Sequence, residues 1–350
     1  MKVFYMIPRD GLGGVEQAAR SIGQKVTDGF KLCFMVGRAR EEHDFHVYMN
    51  PNGKFRSLSF FVRSFSFLLK EKPEVLIVSL WRAALVGLLY CFFMRCVFFK
   101  KIKFVLFKHS SRYSNSIDRL VNKVSYVRAE EIWCDSSASL ERFSGSRYEK
   151  KARVISFYID SGIGAMSESH ENGFVFWGRV SHEKNVMFAI QVFEKIKQKL
   201  PDAMFYIFGP KSDAWDDVLA YIERRGSACG IKLMGVKPPN EYPSVIRSCR
   251  FYLSASLREG MAIAVVEAMQ LGLVPVVTMV GEIPKYCVPG VNAIKIGADV
   301  DAVAINVTAV VSQNQYSLYR KNAIEVWAGK KTFANDFKDN VLRVLSDHAG

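Results

Sequence analysis

Short apolar runs alternate with helix-like segments along the whole chain, and this rhythm most narrows what it can fold into. KVFYMI, KLCFMVG, EVLIVSL, KFVLFKH, EIWCDS and ARVISF follow one another in the first half. A strand covered on both faces reads as such a continuous apolar run, and strands separated by helices predict a parallel α/β sheet. A polar segment, DSGIGAMSESHENG from Asp160 to Gly173, interrupts the pattern and reads as a linker. The rhythm then restarts with FVFWG, AMFYIFG, IKLMG, FYLSAS and VPVVT. Between these strands NVMFAIQVFEKIKQKL repeats its apolar positions every three or four residues, as an amphipathic helix does. Two doubly wound domains are expected, residues 1–165 and 166–330, with ligands at the carboxyl ends of strands facing a cleft between them. A length of 350 residues suits two cores. SLYRKNAIEVW and FANDFKDNVLRVL read as helices near the C-terminus.

The N-terminus, MKVFYMIPRD, has no long apolar core and no small-residue cleavage site, so it reads as a first strand and not as a secretory signal. Seven scattered cysteines fit no common metal spacing and suggest reduced thiols in a cytosolic protein. Charge is uneven. Residues 1–160 carry 27 lysines and arginines against 15 acids, a net +12, whereas the remainder carries +2. From Lys54 to Lys108 eleven basic residues meet two acidic ones, among SLSFFVRSFSFLLK and ALVGLLYCFFMRCVFFKKIK. Aromatic and basic residues mixed on helices suit an anionic membrane surface, although they equally describe the solvated face of helices covering a sheet. The apolar run from Ala83 to Phe99 is short for a transmembrane span and contains Arg95. No nucleic-acid-binding motif accompanies the charge, so nucleic acid is not an expected partner.

The chemistry concentrates in four places. EGMAIAVVE puts Glu259 and Glu267 eight residues apart across a loop-to-helix junction, and Gly272 followed by VPVVT reads as a helix end passing into a strand. Glu267 therefore sits in an apolar helix, where a carboxylate needs a polar partner. The vicinal hydroxyls of a ribose are one such partner. Gly260 and Met261 would offer N–H groups to a phosphate at the helix start. GRVSHEKN, after FVFWG, supplies Arg179 and Lys184, two cations placed to hold a diphosphate and to offset charge on a leaving group. GLGGVE, with Gly11, Gly13 and Gly14, lets backbone approach a phosphate or sugar closely, or is a tight turn and no more. Glu16 stands where a dinucleotide fingerprint wants a small residue. His109 closes the strand KFVLFKH. EEHDFH, from Glu41, reads as a solvated loop, and no metal is expected.

Glu259 and Glu267, with seven residues between them, the GR-x-x-x-x-K pattern of Arg179 and Lys184, the GGVE loop, His109 and the GEIPKY loop from Gly281 together resemble the retaining glycosyltransferases of family 4, the glycosyl transferases of group 1. The likeness covers about 280 residues. It implies the GT-B architecture, two Rossmann-like domains, with residues 1–165 on the acceptor and membrane side and 166–330 on the donor side. The segment 331–350 would be a helix returning to the first domain. It also implies a metal-independent hexosyltransferase without cofactor, using a nucleoside-diphosphate sugar, a UDP-sugar ahead of a GDP-sugar. The acceptor would be a lipid-linked saccharide or membrane glycolipid, and the setting the cytoplasmic, inner face of a membrane. On this pattern Gly13 and Gly14 lie beside the donor diphosphate and near the acceptor. Arg179 and Lys184 hold that diphosphate, Glu259 contacts the sugar, and Gly260, Met261 and Ala262 wrap sugar and phosphate. Glu267 binds ribose, and His109 faces the transferred sugar's 6-hydroxyl. Two departures stand out: Asn185 where the family has glycine, and Gly281-Glu282-Ile283-Pro284-Lys285 where many relatives read GG-x-PE. A non-catalytic scaffold at the membrane, or a nucleotide-sugar epimerase or phosphorylase on the same fold, are the alternatives.

Overall fold

The computed structural model describes residues 1–11, 13–37, 43–53, 57–109, 113–160, 171–237 and 245–346. The chain divides into two compact units, Met1–Ile159 with Lys331–Gly350, and Asp160–Lys330. The domain boundary expected at 165/166 falls in 161–170, outside the described residues.

Unit 1 is built on seven parallel strands: β1 (Val3–Arg9), β2 (Phe30–Val36), β3 (His46–Tyr48), β4 (Val75–Ser79), β5 (Lys103–Lys108), β6 (Glu131–Cys134) and β7 (Ala152–Val154). Their order is β3-β2-β1-β4-β5-β6-β7, and the helix α1 (Gly14–Arg20) follows β1. Side chains alternate across each strand, so one face carries Phe4, Met6, Leu76, Val78, Phe104 and Leu106 into a core shared with α2 (Leu58–Glu71) and α3 (Leu80–Phe98). The opposite face carries Tyr5, Phe107 and Trp133, and the C-terminal helix Phe333–Ser346 lies against it. Phe337 meets Tyr5, Phe30 and Trp133 at ring-centroid distances of 5.0, 6.0 and 5.6 Å. Lys103 Nζ donates to the Val344 carbonyl at 2.6 Å. Arg343 clamps both oxygens of Glu131 at 2.7 and 2.6 Å.

The segment ARVISF, expected as a full strand, pairs only over Ala152–Val154 with one further bond from Ile155 N to the Cys134 carbonyl. The reason is competition: Ser156 N donates to Asp336 Oδ2 at 2.7 Å and Ser156 Oγ to the Lys331 carbonyl. Strand β3 was not expected, because its three residues at the sheet edge contain no apolar run. α3 has 19 residues with a mean hydropathy of 1.6, which by length and composition alone would suffice to cross a membrane. Its Ala83, Ala84, Val86, Gly87, Tyr90 and Met94 are nevertheless buried within the protein.

Unit 2 repeats the design with β8 (Gly173–Trp177), β9 (Met204–Phe208), β10 (Ile231–Gly235), β11 (Cys249–Ser254), β12 (Val274–Val277) and β13 (Ile294–Lys295), ordered β10-β9-β8-β11-β12-β13 and again parallel. The helix Val186–Lys199 buries Val186, Ala189, Ile190, Phe193 and Ile196, the spacing read from the sequence. The helix Ile263–Gln270 leads through Gly272, at φ +86°, into β12.

Candidate functional site

The polar residues of unit 2 gather at the carboxyl ends of β8, β11 and β12, where a parallel sheet presents its loops. Lys184 Nζ donates to Glu259 Oε1 at 2.6 Å, and Ser256 Oγ donates to the same oxygen at 2.7 Å. Glu267 Oε2 accepts from Trp177 Nε1 at 3.0 Å. Among the described residues Glu259 Oε2 and Glu267 Oε1 accept no hydrogen bond, so each carboxylate is oriented through one oxygen and keeps the other for a ligand. Desolvation raises the Glu267 carboxyl above its ordinary range, and the Trp177 hydrogen bond opposes that rise. Tyr252, which donates to the Trp177 carbonyl at 3.1 Å, has its phenol pushed far up by burial and, to a lesser degree, by the charges of Glu259 and Glu267. Arg179 is exposed and makes no hydrogen bond or ion pair among the described residues.

The loops are tied to one another. Leu257 N donates to the Glu183 carbonyl at 2.9 Å, and Thr278 Oγ1 to the Ser256 carbonyl at 2.6 Å. The loop from Gly281 wraps the Gly260–Met261 backbone: Glu282 N donates to the Gly260 carbonyl at 3.0 Å and Tyr286 OH to the Met261 carbonyl at 2.6 Å. Gly281 has φ +60°, and a Cβ there would stand 2.3 Å from the Glu259 carbonyl oxygen, so only glycine fits. The departure to Glu282 and Lys285 leaves this buttress in place, and these two side chains pair with each other at 2.9 Å. At the start of the helix Ile263–Gln270, beside Met261 and Ala262, the N–H groups of Ile263 and Ala264 donate to no backbone carbonyl among the described residues and can face an anion.

Asn185 occupies a left-handed backbone position, φ 51° and ψ 44°, which explains a glycine in relatives and the tolerance of asparagine here. Asn185→Gly is expected to leave stability nearly unchanged, while Asn185→Val costs roughly 1–2 kcal/mol in urea unfolding.

In unit 1 the expected residues also sit at strand ends. A Cβ at Gly13 would lie 2.5 Å from Glu16 Oε2, so the glycine makes room for a carboxylate in the first turn of the helix Gly14–Arg20, which Gly14 begins. His109 follows β5, but its side chain is only 4% exposed. Nε2 is bonded to Ser79 Oγ at 2.7 Å, Ser79 meets Tyr5 OH at 2.9 Å, and Nδ1 lies 3.6 Å from Asp135 Oδ2. Asp135 is itself held by Ser136 and Ser139. A sugar contact through Nε2 would therefore require Ser79 to yield. Sequence reasoning missed Trp177, Ser256, Ser79 and Asp135. Trp177 alone left a signal, a tryptophan at a strand end whose N–H needs an acceptor. The EEHDFH stretch lies partly outside the described residues, since 41 and 42 are not among them.

Residues 171–313 match the family described as glycosyl transferases group 1. The capsular polysaccharide biosynthesis glycosyltransferase CapH of Staphylococcus aureus is 25% identical over 284 residues, 77% of this chain and 78% of that protein. Among solved structures, Anabaena HepE in complex with UDP-glucose superposes with a TM-score of 0.81 at 18% identity, over 99% of this chain and 100% of that one. Sucrose-phosphate synthase from Thermosynechococcus elongatus superposes at 0.75 with 13% identity, covering 100% of both chains. At these identities the structures establish the architecture, two parallel Rossmann-like sheets of the GT-B fold.

Proposed function

We propose that the chain, whose residues 171–313 match the glycosyl transferases of group 1 and which is similar to CapH over 284 residues, is a retaining glycosyltransferase that moves a hexose from a UDP-sugar to a hydroxyl of a lipid-linked saccharide or membrane glycolipid in cell-surface polysaccharide assembly. The observation that carries this reading is the paired arrangement of unit 2, in which Glu259 and Glu267 are each oriented through one oxygen and left with another to offer. Glu267 Oε1 would accept from a ribose hydroxyl, and Glu259 Oε2 from a hydroxyl of the sugar. Lys184 would exchange its carboxylate for the diphosphate as Arg179 closes on the same group, helped by the N–H groups at the start of the helix Ile263–Gln270. The bond from the anomeric carbon to the phosphate oxygen breaks, a bond to the acceptor oxygen forms on the same face, and the departing phosphate takes the acceptor's proton. Catalysis rests on placement and on stabilising the charge of the leaving diphosphate. Unit 1, with Gly13, Gly14 and His109 at its strand ends, is assigned the acceptor side. The likeness to CapH and the UDP-glucose held by HepE support the pathway class and the donor. The net +12 of residues 1–160 supports work at the anionic cytoplasmic face of a membrane.

Thermal unfolding with UDP, GDP, ADP and CDP, with and without magnesium, tests the donor site, because a ligand of the folded state raises Tm by mass action. UDP alone is expected to raise it, without need of magnesium, and Glu267→Ala to abolish the rise. No shift with any nucleotide in well-folded protein would move the assignment to a non-catalytic scaffold.

A further inference from the structure

The helix α4 (Ser116–Arg128) is packed inside out. It buries Asp118, Val121, Asn122, Ser125 and Tyr126, with Asp118 accepting from Ser114 and Asn122, and it turns Ile117, Leu120, Val124 and Val127 to solvent. Its neighbour α3 is apolar on both sides: it buries Tyr90 and Met94 toward its C-terminal end yet leaves Phe92 64% exposed, with Phe99, just past the helix, 90% exposed. The two outward faces enclose one groove of about 1140 Å³, walled by Leu89, Phe92, Phe99, Leu120, Val124 and Val127. That exceeds the roughly 300–1,000 Å³ of ordinary small-molecule pockets. Arg95, Lys101 and Arg128 stand on its rim; the one acid there, Glu130, is already paired with Lys101 at 2.9 Å. Arg119 and Lys123 extend the positive fringe along α4. Exposed apolar side chains gathered in one groove and rimmed by charged residues mark a docking site.

We propose that the α3–α4 groove is a lipid-docking surface that takes the hydrocarbon chain of an anionic phospholipid, with the rim cations on its phosphate. Two features select this occupant. A second copy would bring one cationic rim against another, and a neutral apolar ligand would leave the cations unused. α3 lies on the groove with its buried side against the sheet, so it meets the bilayer side-on; a crossing would strip Leu76, Val78 and Phe104 of their cover. The proposal deepens the membrane-surface reading given above, and it places the contact on α4, which the basic and aromatic stretch 54–108 does not include.

The test uses the full chain and vesicles of phosphatidylcholine with and without phosphatidylglycerol, in the absence of nucleotide sugar and acceptor. Its failure would thus leave the transfer chemistry standing. Co-sedimentation should strengthen on the order of 25-fold with phosphatidylglycerol, at about fivefold for each of the two rim arginines, Arg95 and Arg128, because Glu130 offsets Lys101. The triple variant Phe92→Ser, Leu120→Ser, Val124→Ser should lose binding at unchanged Tm, since all three positions are exposed. A tryptophan placed by Leu120→Trp should be quenched by phospholipid brominated in its acyl chains, and one placed by Leu318→Trp on unit 2 should not. Equal binding to both vesicle types, unquenched fluorescence at position 120, or a dimer of wild type that the triple variant abolishes would each overturn the proposal.

Discussion

Lys184→Ala is expected to lower kcat for sugar transfer by roughly 10²–10³-fold, the cost typical of removing one preorganised donor from a developing negative charge. Lys184 reaches across from the loop after β8 to Glu259, after β11, so its ammonium is already held where two strand-end loops meet. The fold should survive, because Glu259 keeps Ser256 as a donor and its other oxygen remains available to water. Tm therefore separates a chemical defect from a structural one. Lys184→Arg, which keeps the charge in a different shape, should recover part of the rate. Lys195→Ala, which removes an exposed partner of Asp301, should change nothing. A near-normal kcat in Lys184→Ala would remove this residue from the diphosphate site.

Glu267 adds a pH signature to the same site. Its ionised form accepts the Trp177 and ribose hydrogen bonds as the stronger, charge-assisted kind, and burial raises its pKa. Donor affinity is therefore fully present above that folded pKa and is lost as pH falls through it, at a pH higher than an ordinary glutamate would give. Trp177→Phe removes the hydrogen bond that lowers this pKa, so the acid limb of UDP binding should move to higher pH. Calorimetric titration of wild type and Trp177→Phe across the weakly acidic range measures the shift; superimposable profiles would mean that Trp177 does not act through Glu267.

Much of this was legible because burial on both faces writes itself into sequence. Strands such as Val75–Ser79 and Gly173–Trp177 are runs with scarcely a polar residue, and Glu267 stands out because a carboxylate in IAVVEAMQ demands a reason. What escaped depends on partners distant in sequence. The pairing of β7 ends after Ile155 because Asp336, 180 residues beyond Ser156, takes the Ser156 N–H. Ser79 and Asp135 matter only because parallel pairing brings the ends of β4, β5 and β6 side by side. α4 misleads for a different reason: its sequence shows an apolar stripe, and the usual inference turns that stripe inward. Here a local network of Asp118, Asn122 and Ser114 fixes the polar side against the protein instead.

Phe337→Ala is expected to destabilise unit 1 by about 3–5 kcal/mol, the range for a fully buried phenylalanine. That would lower the transition of this unit by roughly 6–20 °C. Phe337 has no solvent exposure and touches Tyr5, Phe30, Trp133 and Phe333, so truncation opens a void where the C-terminal helix meets three strands. The void cannot close easily, since neighbouring rings are fixed by the sheet. Polar contacts lock the same helix. Burial opposes ionisation of Glu131, yet the two hydrogen bonds from Arg343, one from Trp133 and the nearby charge of Arg153 outweigh it and hold the carboxyl below its usual range. A depressed carboxylate contributes stability that is present above its unfolded pKa, about 4.3, and is lost as pH falls through the lower folded value. Arg343→Ala should accordingly destabilise the protein at neutral pH and flatten its stability in acid, whereas Phe337→Ala should lower stability by the same amount at every pH. Scanning calorimetry on both variants distinguishes them, with the unit 2 transition as internal reference. An unchanged unit 1 transition in Phe337→Ala would show that the helix contributes nothing to the stability of the sheet it covers.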